Sequence, residues 1–166
     1  MSEVDTKNAN YRKLRFETVA DCMAELDRID SAHNAGTLTT SGNWTAGQIL
    51  AHLSAWIEYG YDGFPMKPPP FFVKWILKIM LKRMLAKGEM PSGSSIPGVE
   101  GGTFGQEEME TPAAIERYRA ALLRMQSEPA IYDSPGFGKV SDEVRIKANL
   151  LHAQLHLGFI SYPENG

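Results

Sequence analysis

The chain has 166 residues, of which 43% are hydrophobic and 22% are charged, and its formal net charge is −3. This length and composition predict one globular domain with a substantial core, and the slightly negative charge indicates no nucleic-acid partner. Cys22 is the single cysteine, which excludes a disulfide framework and a thiolate metal cluster.

The first ten residues are polar and are predicted to form a disordered tail, followed by one helical domain over residues 11–163. The tail has no apolar core, so we expect no secretory signal. The most apolar run, residues 71–86, contains four cations and is therefore not predicted to span a membrane. From these features we expect a soluble, cytoplasmic protein.

Capping signals mark the first two helices. Thr18 predicts the start of the first helix, and apolar residues recur after it at helical spacing. Thr45 and Gln48 match a capping box, in which each side chain accepts a hydrogen bond from a free backbone N–H group of the first turn. The second helix is predicted to end at residues 63–65, Gly-Phe-Pro, and His52 lies on its broad apolar face.

A third helix is predicted over residues 71–86. The segment 67–87 has six basic residues and no acidic residue, a local charge of +6 that leaves −9 for the remainder. A basic amphipathic helix can bind an anionic membrane or a partner protein. We favour a bundle helix with a solvated lysine face over membrane contact, because the core needs the apolar face. That face is predicted to contain Phe72, Trp75, Ile76, Ile79 and Met80.

The second half of the chain begins with a long loop over residues 91–105, rich in glycine, proline and serine, and a loop of this length is typical of a functional or disordered segment. We interpret its last part, Gly101-Gly-Thr-Phe-Gly105, as a mobile flap. Thr111 and the proline after it predict the start of a fourth helix. Ser141 is predicted to cap the last helix, which runs to about Ile160. Strand alternation is absent, so the fold class predicted is an all-α bundle with four main helices and an additional short helix.

Three of the four histidines are arranged like metal ligands. His152 and His156 are about one helical turn apart and share a helix face, and His52 lies on a different helix. Three imidazoles on neighbouring helices would form an open site for zinc, nickel, copper or iron(II). The alternative is one core histidine and two satisfied histidines near a helix end. We interpret His33 as a cation at the end of the first helix.

Four nearby residues are weaker candidates for binding a substrate or supporting a ligand imidazole. Arg145 either binds a substrate carboxylate or pairs with a surface acid, and we favour the surface pair. Asn149 either hydrogen-bonds at the metal or is exposed. Trp56 and Tyr59 follow the lone histidine on its helix and either line a pocket or fill the core. The sequence contains no evident general base, so the catalytic residues are unknown at this point.

The segment Trp44-Thr-Ala-Gly-Gln48-Ile-Leu-Ala-His52, followed by His152-Ala-Gln-Leu-His156, resembles the DinB-like superfamily. The resemblance covers roughly residues 11–163 and is closest to an uncharacterised branch of that superfamily. It includes Arg12-Lys-Leu-Arg-Phe16 and Pro135-Gly-Phe137-Gly-Lys139. The resemblance implies a DinB-like four-helix bundle in which the three histidines bind a divalent metal, commonly zinc or nickel.

Members of the superfamily include S-transferases and isomerases that use low-molecular-weight thiols such as bacillithiol or mycothiol. The resemblance implies an enzyme whose metal activates a thiol, or a water, to attack a small electrophile, and it suggests a homodimer. The alternatives are a metal-dependent hydrolase, or a non-catalytic bundle that binds a small ligand or a partner and whose histidine site is empty or structural. In one departure, Leu157 and Gly158 follow the final ligand where many members have a histidine or arginine.

Overall fold

The computed structural model describes residues 10–93, 95–96 and 99–163, so the predicted tail lies, except for Asn10, outside the described residues. Within these ranges the regular structure is mostly helical, with five helices and one two-stranded sheet, and the all-α prediction is confirmed. The helices are α1 (Val19–Asn34), α2 (Ala46–Asp62), α3 (Phe71–Lys87), α4 (Thr111–Ser127) and α5 (Asp142–Leu157). A 3-10 turn, Glu100–Gly102, precedes α4, and strands β1 (Thr39–Thr40) and β2 (Ile160–Ser161) pair antiparallel.

The predicted helix starts are confirmed for α1, α2 and α5. Thr18 caps α1, and Thr45 and Gln48 form the predicted capping box at the start of α2. The Ser141 hydroxyl accepts a hydrogen bond from the backbone N–H of Val144 at the start of α5. These caps satisfy backbone donors that have no partner inside the helix, and they fix where α2 and α5 begin.

Three details differ from the sequence-based expectations. The N-cap of α4 is Glu110, because Thr111 is already the first helical residue. Helix α5 ends at Leu157 instead of near residue 160, because β2 leaves the helix to pair with β1. The additional helix α3 is not short, since its 17 residues equal the length of α2.

Helices α1, α2, α4 and α5 form the bundle. Helix α2 packs against α4 and α5, and α1 contacts the same two helices. Gly47 permits the close approach of α2 and the chain entering α4, because a Cβ at this position would lie 1.8 Å from the Met109 carbonyl oxygen. The core at the centre includes Leu26, Leu50 and Leu122, all fully buried.

Helix α3 lies outside this bundle, against α5. The predicted packing of its apolar face in the core is wrong. Helix α3 has apolar residues on two sides, and a different apolar row faces the bundle. This row is buried or partly buried and consists of Val73, Leu77, Leu81, Met84 and Leu85. Each helix in the described part of the chain is too short or too polar to cross a bilayer.

A buried ion pair connects both ends of the domain to α1. The Glu25 carboxylate is 2% exposed and accepts hydrogen bonds from Arg12 at 2.5 Å and Tyr162 at 2.9 Å. Arg12 also donates from Nε to the Ile160 carbonyl at 2.7 Å. Arg28 contacts the other Glu25 oxygen at 3.2 Å. The Arg12 guanidinium therefore connects the segment before α1, α1 itself and β2.

We predict that Arg12→Leu lowers the free energy of unfolding by about 3 kcal/mol, because it removes the closest cation from a buried carboxylate. Urea denaturation followed by circular dichroism measures the change. The matched control is Arg119→Leu, since Arg119 pairs with the exposed Asp27 and its loss should cost at most about 1 kcal/mol. Equal losses for the two variants would contradict the prediction.

Candidate metal centre

The three histidines singled out in the sequence converge on one point between α2 and α5. Nε2 of His52 lies 3.0 Å from Nε2 of His152, and the His156 ring centroid lies 4.7 Å from each of the other two. One ligand nitrogen from each residue falls within 4.8 Å of the others. The convergence predicted from the spacing is therefore present, and this cluster could hold a metal ion.

The separation of the His52 and His152 nitrogens is close to that expected for two ligands of a single ion. Zinc–imidazole bonds of about 2.0–2.1 Å at tetrahedral angles place ligand nitrogens about 3.3 Å apart. The separation of 3.0 Å between His52 and His152 is close to that value. Two ligands come from successive turns of α5 and the third from α2, so the packing of two helices sets the geometry.

A backbone carbonyl fixes the orientation of His52. Its Nδ1 lies 2.7 Å from the Phe104 carbonyl oxygen. A carbonyl oxygen only accepts, so Nδ1 carries the proton and donates, and Nε2 of the neutral ring has a free lone pair. Ligand histidines in metal sites are commonly held in this way, since the hydrogen bond sets both the tautomer and the ring angle.

Gly105 allows this carbonyl to reach α2. Its φ is +82°, and a Cβ there would lie 2.6 Å from the Cβ of Ala55. The loop interpreted from the sequence as a mobile flap therefore lies, at this point, directly on α2. Any side chain larger than hydrogen would be strained in backbone conformation and would push the loop away from His52.

His52 is buried and His152 and His156 are partly buried, and this burial keeps the three imidazoles neutral. It lowers the pKa of His52 to about 4, although the hydrogen bond to Phe104 opposes the shift. Burial, together with repulsion from a protonated His52, lowers the pKa of His156 to about 3. Burial and the charges of both neighbours lower the pKa of His152 well below its ordinary value. At neutral pH all three rings therefore have a lone pair available for a ligand.

Two tryptophans enclose the cluster. Trp44 stacks on His156 at 5.5 Å between ring centroids and tilts against His52 at 5.0 Å. Trp56 meets the rings of His52 and His152 edge-on, at 6.1 and 5.9 Å. Within the described residues the Trp56 Nε1–H is buried without an acceptor. A buried donor without a partner beside the rings of His52 and His152 fits a polar group bound at the site.

Sequence reasoning assigned no role to Trp44 or to the Phe104 carbonyl. The available signal for Trp44 was its place directly before the N-cap Thr45, which positions its ring at the N-terminal end of α2. The contact of Phe104 is made by the backbone, and its residue type contains no signal for it. Only the glycine at position 105 indicated that the backbone of this loop comes close to another element, which is α2.

An open cleft of about 680 Å³ adjoins the histidine cluster. Phe104 belongs to both, because its carbonyl holds His52 while the residue lines the cleft. Among the described residues, the three histidines themselves do not line the cleft. Its wall includes Ala55, Tyr59, Phe104, Gly105, Gln106 and Arg117. Of the two aromatic residues proposed as pocket walls, Tyr59 lines this cleft and Trp56 lies against the imidazoles.

The remaining two candidates have hydrogen-bond partners within the bundle. Arg145 pairs with Asp142 at 3.0 Å, the carboxylate pairing that we favoured, and also donates to the Tyr61 hydroxyl and to the Met125 and Glu128 carbonyls. Asn149 donates from Nδ2 to the Arg145 carbonyl at 3.0 Å. These contacts join α5 to the ends of α2 and α4 and give Arg145 a structural role.

We predict that Gly105→Ala weakens zinc binding about 10- to 100-fold, because the loop must lift and withdraw the Phe104 carbonyl from His52. Competition with a chromophoric zinc chelator measures the affinity. Gly36→Ala is the matched control, since Gly36 also has positive φ, at +68°, but a Cβ there meets nothing within 4 Å. Unchanged zinc affinity in Gly105→Ala would show that the carbonyl does not position the ligand.

Comparison with known proteins places the chain in a family without supplying an activity. No curated protein and no solved structure matches it. A family model described as "Protein of unknown function (DUF1569)" matches residues 8–162 and so includes the five helices and the three clustered histidines. Because the match extends over nearly the whole chain, this protein belongs to the DUF1569 family.

Proposed function

We propose that this protein is a divalent-metal-dependent enzyme of the DinB-like superfamily that transfers a thiol to a small electrophile. The observation that carries the proposal is the convergence of His52, His152 and His156 on one point with their lone pairs available. An all-α bundle with ligands on two of its helices agrees with the resemblance to that superfamily. The proposed cofactor is zinc or nickel, since imidazole suits both ions.

Three ligands favour catalysis over a purely structural ion. Structural zinc sites have four protein ligands, whereas catalytic sites have three and keep a position open. The aromatic rings of Trp44 and Trp56 border the imidazoles and limit the access of water. The adjoining cleft provides room for a small substrate, with the Tyr59 hydroxyl and Arg117 on its wall.

The chain's own residues favour a thiol over a water as the nucleophile. An ion held by the three histidines would lower the pKa of a coordinating thiol enough to deprotonate it, so no separate base would be needed. Attack by water benefits from a general base, and the carboxylates nearest the cleft, Glu58 and Glu107, are both paired with Arg117. We therefore prefer the transferase to the hydrolase alternative.

The thiol must come from a separate small molecule. Cys22 is fully buried in α1, and burial raises the pKa of its thiol to about 12. Its sulfur lies 3.6 Å from the Tyr118 hydroxyl inside the core. Since this thiol is neutral and inaccessible, a low-molecular-weight thiol is the proposed co-substrate.

A non-catalytic bundle is the second candidate, and one contact favours it. His52 Nε2 and His152 Nε2 are 3.0 Å apart, so the neutral tautomer of His152 that carries its proton on Nε2 can donate a hydrogen bond to His52. The imidazoles can thus satisfy one another as a structural cluster. The two candidates differ in whether the protein holds a stoichiometric metal and whether that metal supports a reaction.

We predict that protein purified without a histidine tag contains about one divalent ion per chain, measured by elemental analysis. The double change His152→Ala/His156→Ala should abolish the ion, because one imidazole alone binds weakly. His33→Ala is the matched control, since His33 lies at the end of α1, outside the cluster, and this variant should keep the ion. Retained metal in the double variant would refute the assigned ligands.

We predict that the metal-loaded protein accelerates conjugation of a low-molecular-weight thiol with a chlorinated aromatic electrophile, followed by absorbance. Chelation or the double histidine change should reduce the rate at least about 100-fold, because the thiol loses its activating ion. The His33→Ala variant should retain the rate. Thiol-independent ester hydrolysis would instead support the hydrolase, and stoichiometric metal without either reaction would support the non-catalytic bundle.

A further inference from the structure

Helix α3 presents a second apolar surface to solvent. Phe71 is 85% exposed and Trp75 is 66% exposed, and the rings of Phe71 and Phe72 are in edge contact at 5.9 Å. We call this surface the outer face of α3, and it consists of Phe71, Phe72, Trp75, Ile76 and Met80. It is distinct from the row that packs on the bundle, so the core does not account for it.

Exposing such an apolar surface to water is unfavourable in free energy. Single exposed apolar residues are normal, but a contiguous apolar patch with several aromatic side chains is typical of an interaction site. The hydrophobic effect opposes leaving two phenylalanines and a tryptophan exposed. The sequence-based preference for a bundle helix with a solvated lysine face placed five apolar residues of α3 in the core, and the structure leaves four of them exposed: Phe72, Trp75, Ile76 and Met80.

Cations border the outer face. Lys74 is half-buried, while Lys78 and Lys82 continue the same row at intervals of four residues and are exposed. This row runs alongside Phe71 and Trp75 on the helix surface. Arg83 and Lys87 are exposed at the last turns of the helix. The result is an apolar patch with basic residues along one flank and at one end.

We propose that the outer face of α3 docks on the surface of an anionic lipid bilayer. An interfacial helix places aromatic and aliphatic side chains at the boundary of headgroups and acyl chains and keeps its cations among the headgroups. The five cations within α3 prevent it from crossing the bilayer. The helix lies in the plane of the membrane, with the bundle on its solvent side.

The positive charge of α3 favours an anionic bilayer over a second copy of the chain as the partner of the outer face. A symmetric dimer through the outer face would bring two segments of charge +6 together, and their repulsion would oppose the apolar contact. An anionic bilayer complements both the cations and the apolar side chains. The remainder of the chain has a charge of −9, so the membrane repels it and orients α3 toward the lipid.

Co-sedimentation of the full chain with vesicles tests the proposal. We expect binding to phosphatidylcholine vesicles that contain phosphatidylglycerol, and much weaker binding to phosphatidylcholine alone or at high salt. Phe71→Ala/Trp75→Ala should weaken binding about tenfold by removing apolar area. Lys78→Ala/Lys82→Ala should weaken it about fivefold for each lysine.

Matched controls come from two other helices, α4 and α5. Leu123→Ala removes an exposed apolar side chain of α4, and Lys147→Ala removes an exposed cation of α5, and neither should change vesicle binding. All substituted side chains are exposed, so circular dichroism should show unchanged folding in every variant.

Two results would overturn the proposal. One is wild-type protein that stays in the supernatant with anionic vesicles. The other is binding that the α3 variants leave unchanged. Light scattering tests the alternative occupant, a second copy of the chain. If the protein does not bind vesicles but forms a dimer that Phe71→Ala/Trp75→Ala converts to monomer, the outer face is a dimer interface. Each readout is independent of metal content and of the proposed enzyme activity.

Discussion

The packing of α2 against α5 is the constraint on which the site depends. His52 on α2 and the pair His152 and His156 on α5 are separated by 100 residues or more of chain, and only the contact of these two helices brings their rings together. Burying three imidazoles costs free energy unless their polar atoms find partners. The Phe104 carbonyl accepts a hydrogen bond from one nitrogen of His52, and one nitrogen of each ring lies within 4.8 Å of the others. The fold thus builds a partly buried site of three neutral imidazoles.

Glycines and one buried ion pair maintain that packing from outside the site. A Cβ at Gly158 would lie 2.6 Å from the Arg12 carbonyl oxygen, so the chain before α1 crosses directly over the end of α5. This crossing gives a physical reason for a glycine at position 158, because any Cβ there would meet the Arg12 backbone. The position serves the contact with Arg12, whose guanidinium then reaches the buried Glu25. The end of the ligand helix is therefore held by the terminal segments of the domain.

The proposed catalytic site and the outer face of α3 use different parts of the bundle. The histidines lie between α2 and α5, whereas α3 packs on α5 from outside with Leu81 and its neighbours. Gln154 on α5 donates to the Gly88 carbonyl just beyond α3 and accepts a hydrogen bond from the Phe16 backbone. The two surfaces can therefore be altered separately, although α5 supports both.

The sequence by itself determined the helices, their caps at Thr18, Thr45 and Ser141, and the three histidines, because capping and helical spacing are local properties of the chain. It could not determine which side of α3 faces the bundle, since that helix has apolar residues on two sides and local pattern cannot choose between them. Nor could it indicate the carbonyl of Phe104 or the partners of Arg145, which are contacts between distant segments. Those were decided by tertiary structure, because burial and backbone hydrogen bonds depend on which helices pack together.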